Sequence, residues 1–230
     1  MIGIYNYTVI LTYLSLISAG TGIIVTLSDN GHPYWGVLFL LLCGLCDAFD
    51  GQVARTKKDR TQSEINYGIQ IDSLSDVVAF GVLPACIGVA IFRTSSFFSN
   101  LSSYAFFPVL RILFFAILVL YSLAALIRLA HFNVTEEERQ SEEGGVRKYY
   151  TGLPVTSAAL IFPSFMILRY IFTPIDISIA FLPLVIFTAF AFLGKFSLRK
   201  PKLRGVLIMV AIGFIEAVVL FLCLYFRLRG

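Results

Sequence analysis

Asp47-Ala-Phe-Asp50-Gly51-Gln-Val-Ala54-Arg55, followed twelve residues later by Gly68-Ile-Gln-Ile-Asp72-Ser-Leu-Ser-Asp76, sets four carboxylates at the edges of two apolar runs. The run before the first stretch, 33–46, and the run after the second, 77–92, contain no Asp, Glu, Lys or Arg. The rest of the chain has the same character. Hydrophobic residues make up 58% of the 230 positions and charged residues 14%. Soluble domains have about 45–50% and about 25%. This excludes a disordered chain, a coiled coil and a disulfide-stapled module, and it argues against a soluble domain. The expected class is an all-α polytopic membrane protein, folded as one unit across residues 1–230.

A spanning helix needs roughly 20 mostly apolar residues. Seven segments qualify: Thr8–Leu27, Pro33–Arg55, Gly68–Phe92, Phe107–Phe132, Thr151–Phe172, Ile177–Phe196 and Gly205–Phe226. The Ser-rich, aromatic stretch 93–106 reads as an interfacial loop. The N-terminus lacks a basic segment ahead of its apolar run, so a retained span is expected there rather than a cleaved signal. Alternate connections are basic. Arg55, Lys57, Lys58 and Arg60 flank spans two and three; Arg128, Arg139, Arg147 and Lys148 flank spans four and five; Lys195, Arg199, Lys200, Lys202 and Arg204 join spans six and seven. The other side holds Arg93, Arg111, Arg169, Arg227 and Arg229. The positive-inside rule puts the richer side, and the N-terminus, in the cytoplasm. Glu136, Glu137, Glu138, Glu142 and Glu143 read as part of a solvated loop. The net charge of +4 suits loops beside an anionic membrane surface and does not call for nucleic acid. Cys43, Cys46, Cys86 and Cys223 lie in apolar surroundings and read as small packing residues.

Positions 47, 50, 51 and 54 share one helix face, and Asp72 and Asp76 share another, with Gly68 one turn earlier. Asp47 precedes Arg55 by roughly 12 Å of helix. Asp72 and Asp76 follow the same connection by a few turns. Both pairs therefore reach a similar depth, where antiparallel helices would point four carboxylates at one another. Such a group does not stay ionised without cations, and intramembrane carboxylates are costly and usually functional. All-oxygen ligands favour hard ions such as Mg²⁺ or Mn²⁺, and paired divalent ions serve phosphoryl transfer. Gly51, Ala54 and Gly68 leave room for a bulky ligand. Buried ion pairs that help helices pack, or a cation or proton pathway, are the alternatives.

The pattern D-x-x-D-G-x-x-A-R, then G-x-x-x-D-x-x-x-D, resembles the signature of the CDP-alcohol phosphatidyltransferases. Its eight fixed letters are present as Asp47, Asp50, Gly51, Ala54, Arg55, Gly68, Asp72 and Asp76. The connection 56–67 is longer than the family's common short form. The resemblance implies a six-helix core, about 5–196, plus one additional C-terminal helix, about 205–226. It also implies two Mg²⁺ or Mn²⁺ ions. One would be held by Asp47, Asp50 and Asp72, the other by Asp47, Asp72 and Asp76, with Asp76 as general base. Gly51, Ala54, Arg55 and Gly68 would meet the CDP-lipid. Glu216, on the added helix, reads as a structural partner.

Three further stretches are similar to the membrane-spanning phosphatidylserine synthases: Asp72 to Ala85, Arg128-Leu-Ala-His131-Phe-Asn133, and Tyr149-Tyr-Thr-Gly152-Leu-Pro154. This resemblance implies transfer from CDP-diacylglycerol to L-serine, in a homodimer in a prokaryotic plasma membrane, with the site on the cytoplasmic side. A serine carboxylate calls for a fixed cation, and Arg128 suits it, the alternative being an interfacial arginine that snorkels. Asn133 would help bind serine or cap its helix. His131 stands where the subgroup has Arg or Lys, which argues against direct binding there. Pro84 is expected to kink span three. Glycerol 3-phosphate or an inositol phosphate is the rival acceptor within the family. A cation- or proton-coupled transporter and a structural subunit are the rivals from other classes.

Overall fold

The computed structural model describes residues 3–142, 149–172, 176–201 and 203–229. Glu143, Arg147, Lys148 and Lys202 of the charged connections lie outside the described residues, as do the side chains of Glu142, Arg227 and Arg229. The described chain is almost wholly helical: α1 (Ile10–Leu27), α2 (Pro33–Ala54), α3 (Gln62–Asp76), α4 (Leu83–Thr94), α5 (Ser96–Leu101), α6 (Phe107–Glu142), α7 (Ala158–Ile171), α8 (Phe181–Leu193) and α9 (Leu203–Arg229). A π-helical turn, Val77–Val82, joins α3 to α4, so the two make one span. Five helical stretches are long and apolar enough to cross a membrane. Two shorter apolar ones, Val155–Ile171 and Ile177–Leu193, begin with 3-10 turns and reach about 25 Å, near the lower limit for crossing. These seven stretches coincide with the seven expected spans.

Local chemistry starts α2 and α3. Pro33 opens α2 behind His32, whose ring accepts from the Tyr34 N–H. Thr61 and Glu64 close a capping box at the start of α3, which therefore begins well ahead of Gly68, where the span was expected to start. Two expectations need correction. The glutamates at 136–138 and 142 continue α6 rather than forming a loop. Glu, Arg and Gln favour helix, and Arg139 Nη2 pairs with Glu136 Oε1 at 2.6 Å one turn away. The segment 93–106 is not simply a loop either. It contains α5, whose start is capped by Ser95, and Phe98 is buried in the core.

Helices α1 and α2 pack along their lengths, α6 packs on α8, and α9 packs on α7 and α2. The core is aromatic. Tyr121 meets Phe162 and Phe192 at ring separations of 5.7 and 5.6 Å, and Phe162 meets Phe181 at 5.5 Å. The periphery is equally apolar: Phe187, Phe190 and Phe214 are 71%, 72% and 70% exposed, the surface a bilayer would cover.

The two ends of the bundle differ. At one, Arg93 donates to the terminal carbonyls of α1, with Nη2 2.9 Å from Thr26 O. Asp176 there accepts from Ser95 Oγ, Ser96 Oγ and the Phe97 N–H at 2.7, 3.0 and 2.9 Å, and from the Ser178 N–H at 3.0 Å. Partial burial opposes ionisation of Asp176, but these hydrogen bonds outweigh it and hold the carboxyl well below the usual carboxylate range. At the other end, Tyr149–Thr151 (β1) pairs antiparallel with Ser197–Arg199 (β2), Tyr150 opposite Leu198. Gly152 then turns with φ +73, and a Cβ there would lie 2.8 Å from Gly194 O and 2.9 Å from Phe192 O. Only glycine fits that turn. The Gly152 and Leu153 N–H groups donate to Phe196 O and Ala191 O, locking the entry of α7 to the exit of α8.

Candidate active site

The last two turns of α2 and the length of α3 carry the four carboxylates. Asp47, Asp50 and Asp72 each offer a carboxylate oxygen within 4.8 Å of those of the other two. This three-sided cluster is an all-oxygen donor set of the kind hard divalent ions take, so the residues fit the metal that the signature implies. Asp50 also accepts from the Gly51 N–H. Asp76 is one turn deeper on α3 and only 7% exposed. It does not join the three in that tight group. Of the four expected ligands, three are thus brought together and the fourth stands behind them.

A Cβ on Gly68 would meet nothing within 4 Å, and one on Gly51 would meet only the Arg55 guanidinium, 3.4 Å away. Ala54 is half-buried and Arg55 is exposed at the end of α2. Space therefore opens beside the carboxylates, with a cation at its rim.

Helix α6 forms one wall. Arg128 is buried, 6% exposed; its Nε donates to Leu153 O at 3.3 Å and its guanidinium lies 5.5 Å from the Phe132 ring centre. It is not an arginine that snorkels to solvent. Asn133 donates through Nδ2 to Ser73 Oγ at 2.7 Å. It caps nothing, because α6 runs on to Glu142. His131 is exposed. Glu216 is buried against α7 and accepts from Ser164 Oγ, a partner within the helix packing.

Other residues at the site escaped the sequence reading. Glu64 accepts from Asn6 Nδ2 at 2.8 Å and from Lys57 Nζ at 2.6 Å, tying the N-terminal segment to the α2–α3 connection. The Tyr13 and Tyr67 hydroxyls meet at 2.9 Å, and Ser75 Oγ donates to Thr12 O at 3.2 Å. The capping-box spacing of Thr61 and Glu64 was a readable signal; the cross-chain partners had none.

The family model for the CDP-alcohol phosphatidyltransferases matches residues 5–215. The chain is 38% identical over 140 residues to the CDP-diacylglycerol–serine O-phosphatidyltransferase of Saccharomyces cerevisiae, covering 59% of this chain and 43% of that protein. It is 31% identical over 193 residues to the archaetidylserine synthase of Methanothermobacter thermautotrophicus, covering 84% and 69%. With the CDP-diacylglycerol–serine O-phosphatidyltransferase of Methanocaldococcus jannaschii it shares 26% over 166 residues, 72% and 64%. The chain thus spans less than half of the yeast relative and about two thirds of the archaeal ones. No solved structure matches.

Proposed function

The chain belongs to the CDP-alcohol phosphatidyltransferase family, and from that premise we propose that it transfers the phosphatidyl group of CDP-diacylglycerol to the hydroxyl of L-serine, giving phosphatidylserine and CMP. The observation that carries the reading is the convergence of Asp47, Asp50 and Asp72 within 4.8 Å, inside an apolar helix bundle and beside open space at Gly68. The printed names of the relatives support the serine acceptor.

Asp47, Asp50 and Asp72 would hold one Mg²⁺ or Mn²⁺ ion, and Asp47, Asp72 and Asp76 a second. When bound, such ions supply charge neutralisation at the pyrophosphate as CMP departs. Arg55, with Gly51, Ala54 and Gly68, binds the CDP portion and orients it along α2. Arg128 and Asn133 hold serine on the α6 wall. Asp76 accepts the serine hydroxyl proton as that oxygen bonds to the lipid-side phosphorus. The bond from that phosphorus to the CMP oxygen breaks, and CMP leaves with its electron pair. The acyl tails remain between helices in the bilayer. Residues 5–196 form the catalytic core, to which α9 is an addition. The end of the bundle that carries the carboxylates also carries Lys58, Arg60, Arg199, Lys200 and Arg204, which supports a cytoplasmic site.

Purified protein in detergent tests the reading by CMP release from CDP-diacylglycerol and Mn²⁺ or Mg²⁺. L-serine, glycerol 3-phosphate, an inositol phosphate and no alcohol run in parallel. Release that requires serine is expected. Release with another alcohol overturns the acceptor and keeps the family chemistry; no release with any of them overturns the transferase.

A further inference from the structure

We infer that Tyr121 and Ser122 on α6 are positioning residues for the α3 carboxylates, acting through the π-helical turn that follows Asp76; this rests on the transferase reading above. The π segment starts at Val77, the residue next to Asp76, and closes with the Leu83 N–H donating to the Val78 carbonyl five residues back. Winding of this kind is rare and frequent at functional sites. Pro84, in the first turn of α4, has no N–H and leaves the Phe80 carbonyl, four residues earlier, without its usual helical donor. Tyr121 supplies one: its hydroxyl donates to Phe80 O at 2.7 Å, in a core where both side chains are buried. One residue on, Ser122 Oγ donates to Gly81 O at 2.9 Å. Gly81 lets α6 come this near, for a Cβ there would lie 3.2 Å from Ala125 Cβ.

Helix α6 therefore grips two successive carbonyls of the wide turn. On the other side of Asp76, between it and Asp72, the same helix reaches Ser73 through Asn133. Asp76 is bracketed between these grips, and Asp72 adjoins the one at Ser73. The α4 end is fixed, since Leu83, Ile87 and Ile91 are fully buried. Side chains advance about 100° per residue on a helix. A π turn that relaxes to α winding loses its extra residue, and with α4 fixed the rotation passes back to Asp76. Neither Tyr121 nor Ser122 has to touch a substrate for this.

The test uses Tyr121→Phe, which keeps the ring against Phe162 and Phe192, together with Ser122→Ala and Pro84→Ala. CMP release with CDP-diacylglycerol and L-serine is measured alongside thermal unfolding in the same detergent. Tyr121→Phe is expected to lower kcat roughly ten- to a hundredfold, with KM for CDP-diacylglycerol within about twofold; Ser122→Ala does the same more weakly. Pro84→Ala restores a backbone donor for Phe80 O, so the loss from Tyr121→Phe shrinks in that background, a coupling that the double-mutant cycle reads. An unchanged kcat in folded Tyr121→Phe overturns the inference, as does a loss equally large with and without Pro84→Ala. If Tyr121→Phe does not fold, Ser122→Ala against Ser122→Thr, which keeps a hydroxyl, decides in its place, rescue by Thr being the expected result. An inactive wild-type chain refutes the transferase reading, whereas an active wild type with indifferent variants refutes only this positioning role.

Discussion

Asp76 and Asp50 have the same side chain and different surroundings. Asp50 is half-buried within the three-carboxylate cluster, and Asp76 is buried one turn behind it. The proposed division of labour follows, and it separates the variants. Asp50→Asn should raise the Mn²⁺ or Mg²⁺ concentration needed for half-maximal CMP release, read from a metal titration. Asp76→Asn should lower kcat about 10²–10⁴-fold, the range for losing a general base. Asp176, at the opposite end, offers a test by pH. Its folded pKa lies below the usual value of about 3.9, so its contribution to stability is fully present above that value. It is lost as the pH falls through the folded value. Asp176→Asn should therefore unfold at a lower temperature than the wild type at neutral pH, with the gap narrowing in acid. A gap that does not change with pH contradicts the account of its hydrogen bonds.

At the scale of elements, much was legible because the bilayer imposes a simple rule. Only satisfied backbone can cross it, so seven apolar runs became seven helical stretches. Where the rule weakened, the reading failed. Beyond Phe132, hydropathy no longer decides, and the helix-forming preference of Glu and Arg extended α6 where a loop was expected. The β1–β2 ribbon joins segments almost fifty residues apart, and three-residue strands leave no periodicity to read. Pro84 suggested a kink; what the structure shows there is a widened turn just before it, with hydroxyls from α6 at the carbonyls. That arrangement needs Tyr121 and Ser122, which are unremarkable in a run of apolar residues. The start of α3 was readable in principle, and Thr61→Ala should cost about 1 kcal/mol. Its Oγ1 accepts from the Glu64 N–H at 3.2 Å. Thermal unfolding measures the loss, and no shift would show that the cap does not support α3.

For the whole molecule, the seven spans put the α2–α3 connection and the α4–α6 connection on opposite faces of the bilayer. Lys58→Cys and Ser103→Cys, both at exposed positions, should react with a membrane-impermeant maleimide from opposite sides of sealed vesicles. Reaction of both from one side refutes the topology. The native cysteines are buried or half-buried and give a low background. The carboxylate site was legible at this scale as well, because an eight-letter signature fell where helix geometry wanted charges to meet. On its α6 wall the sequence pointed to Arg128 and Asn133, but the bonds from Asn133 to Ser73 and from Tyr121 to Phe80 O arise only from packing. The central claim is that the serine oxygen attacks the lipid phosphorus at this site with Asp76 taking the proton. The most direct measurement uses L-serine labelled with ¹⁸O in its hydroxyl, followed by mass spectrometry of both products. The account predicts that phosphatidylserine retains the label, that CMP is unlabelled, and that Asp76→Asn forms neither at an appreciable rate. CMP formed without labelled phosphatidylserine, or an Asp76→Asn chain as fast as the wild type, contradicts it.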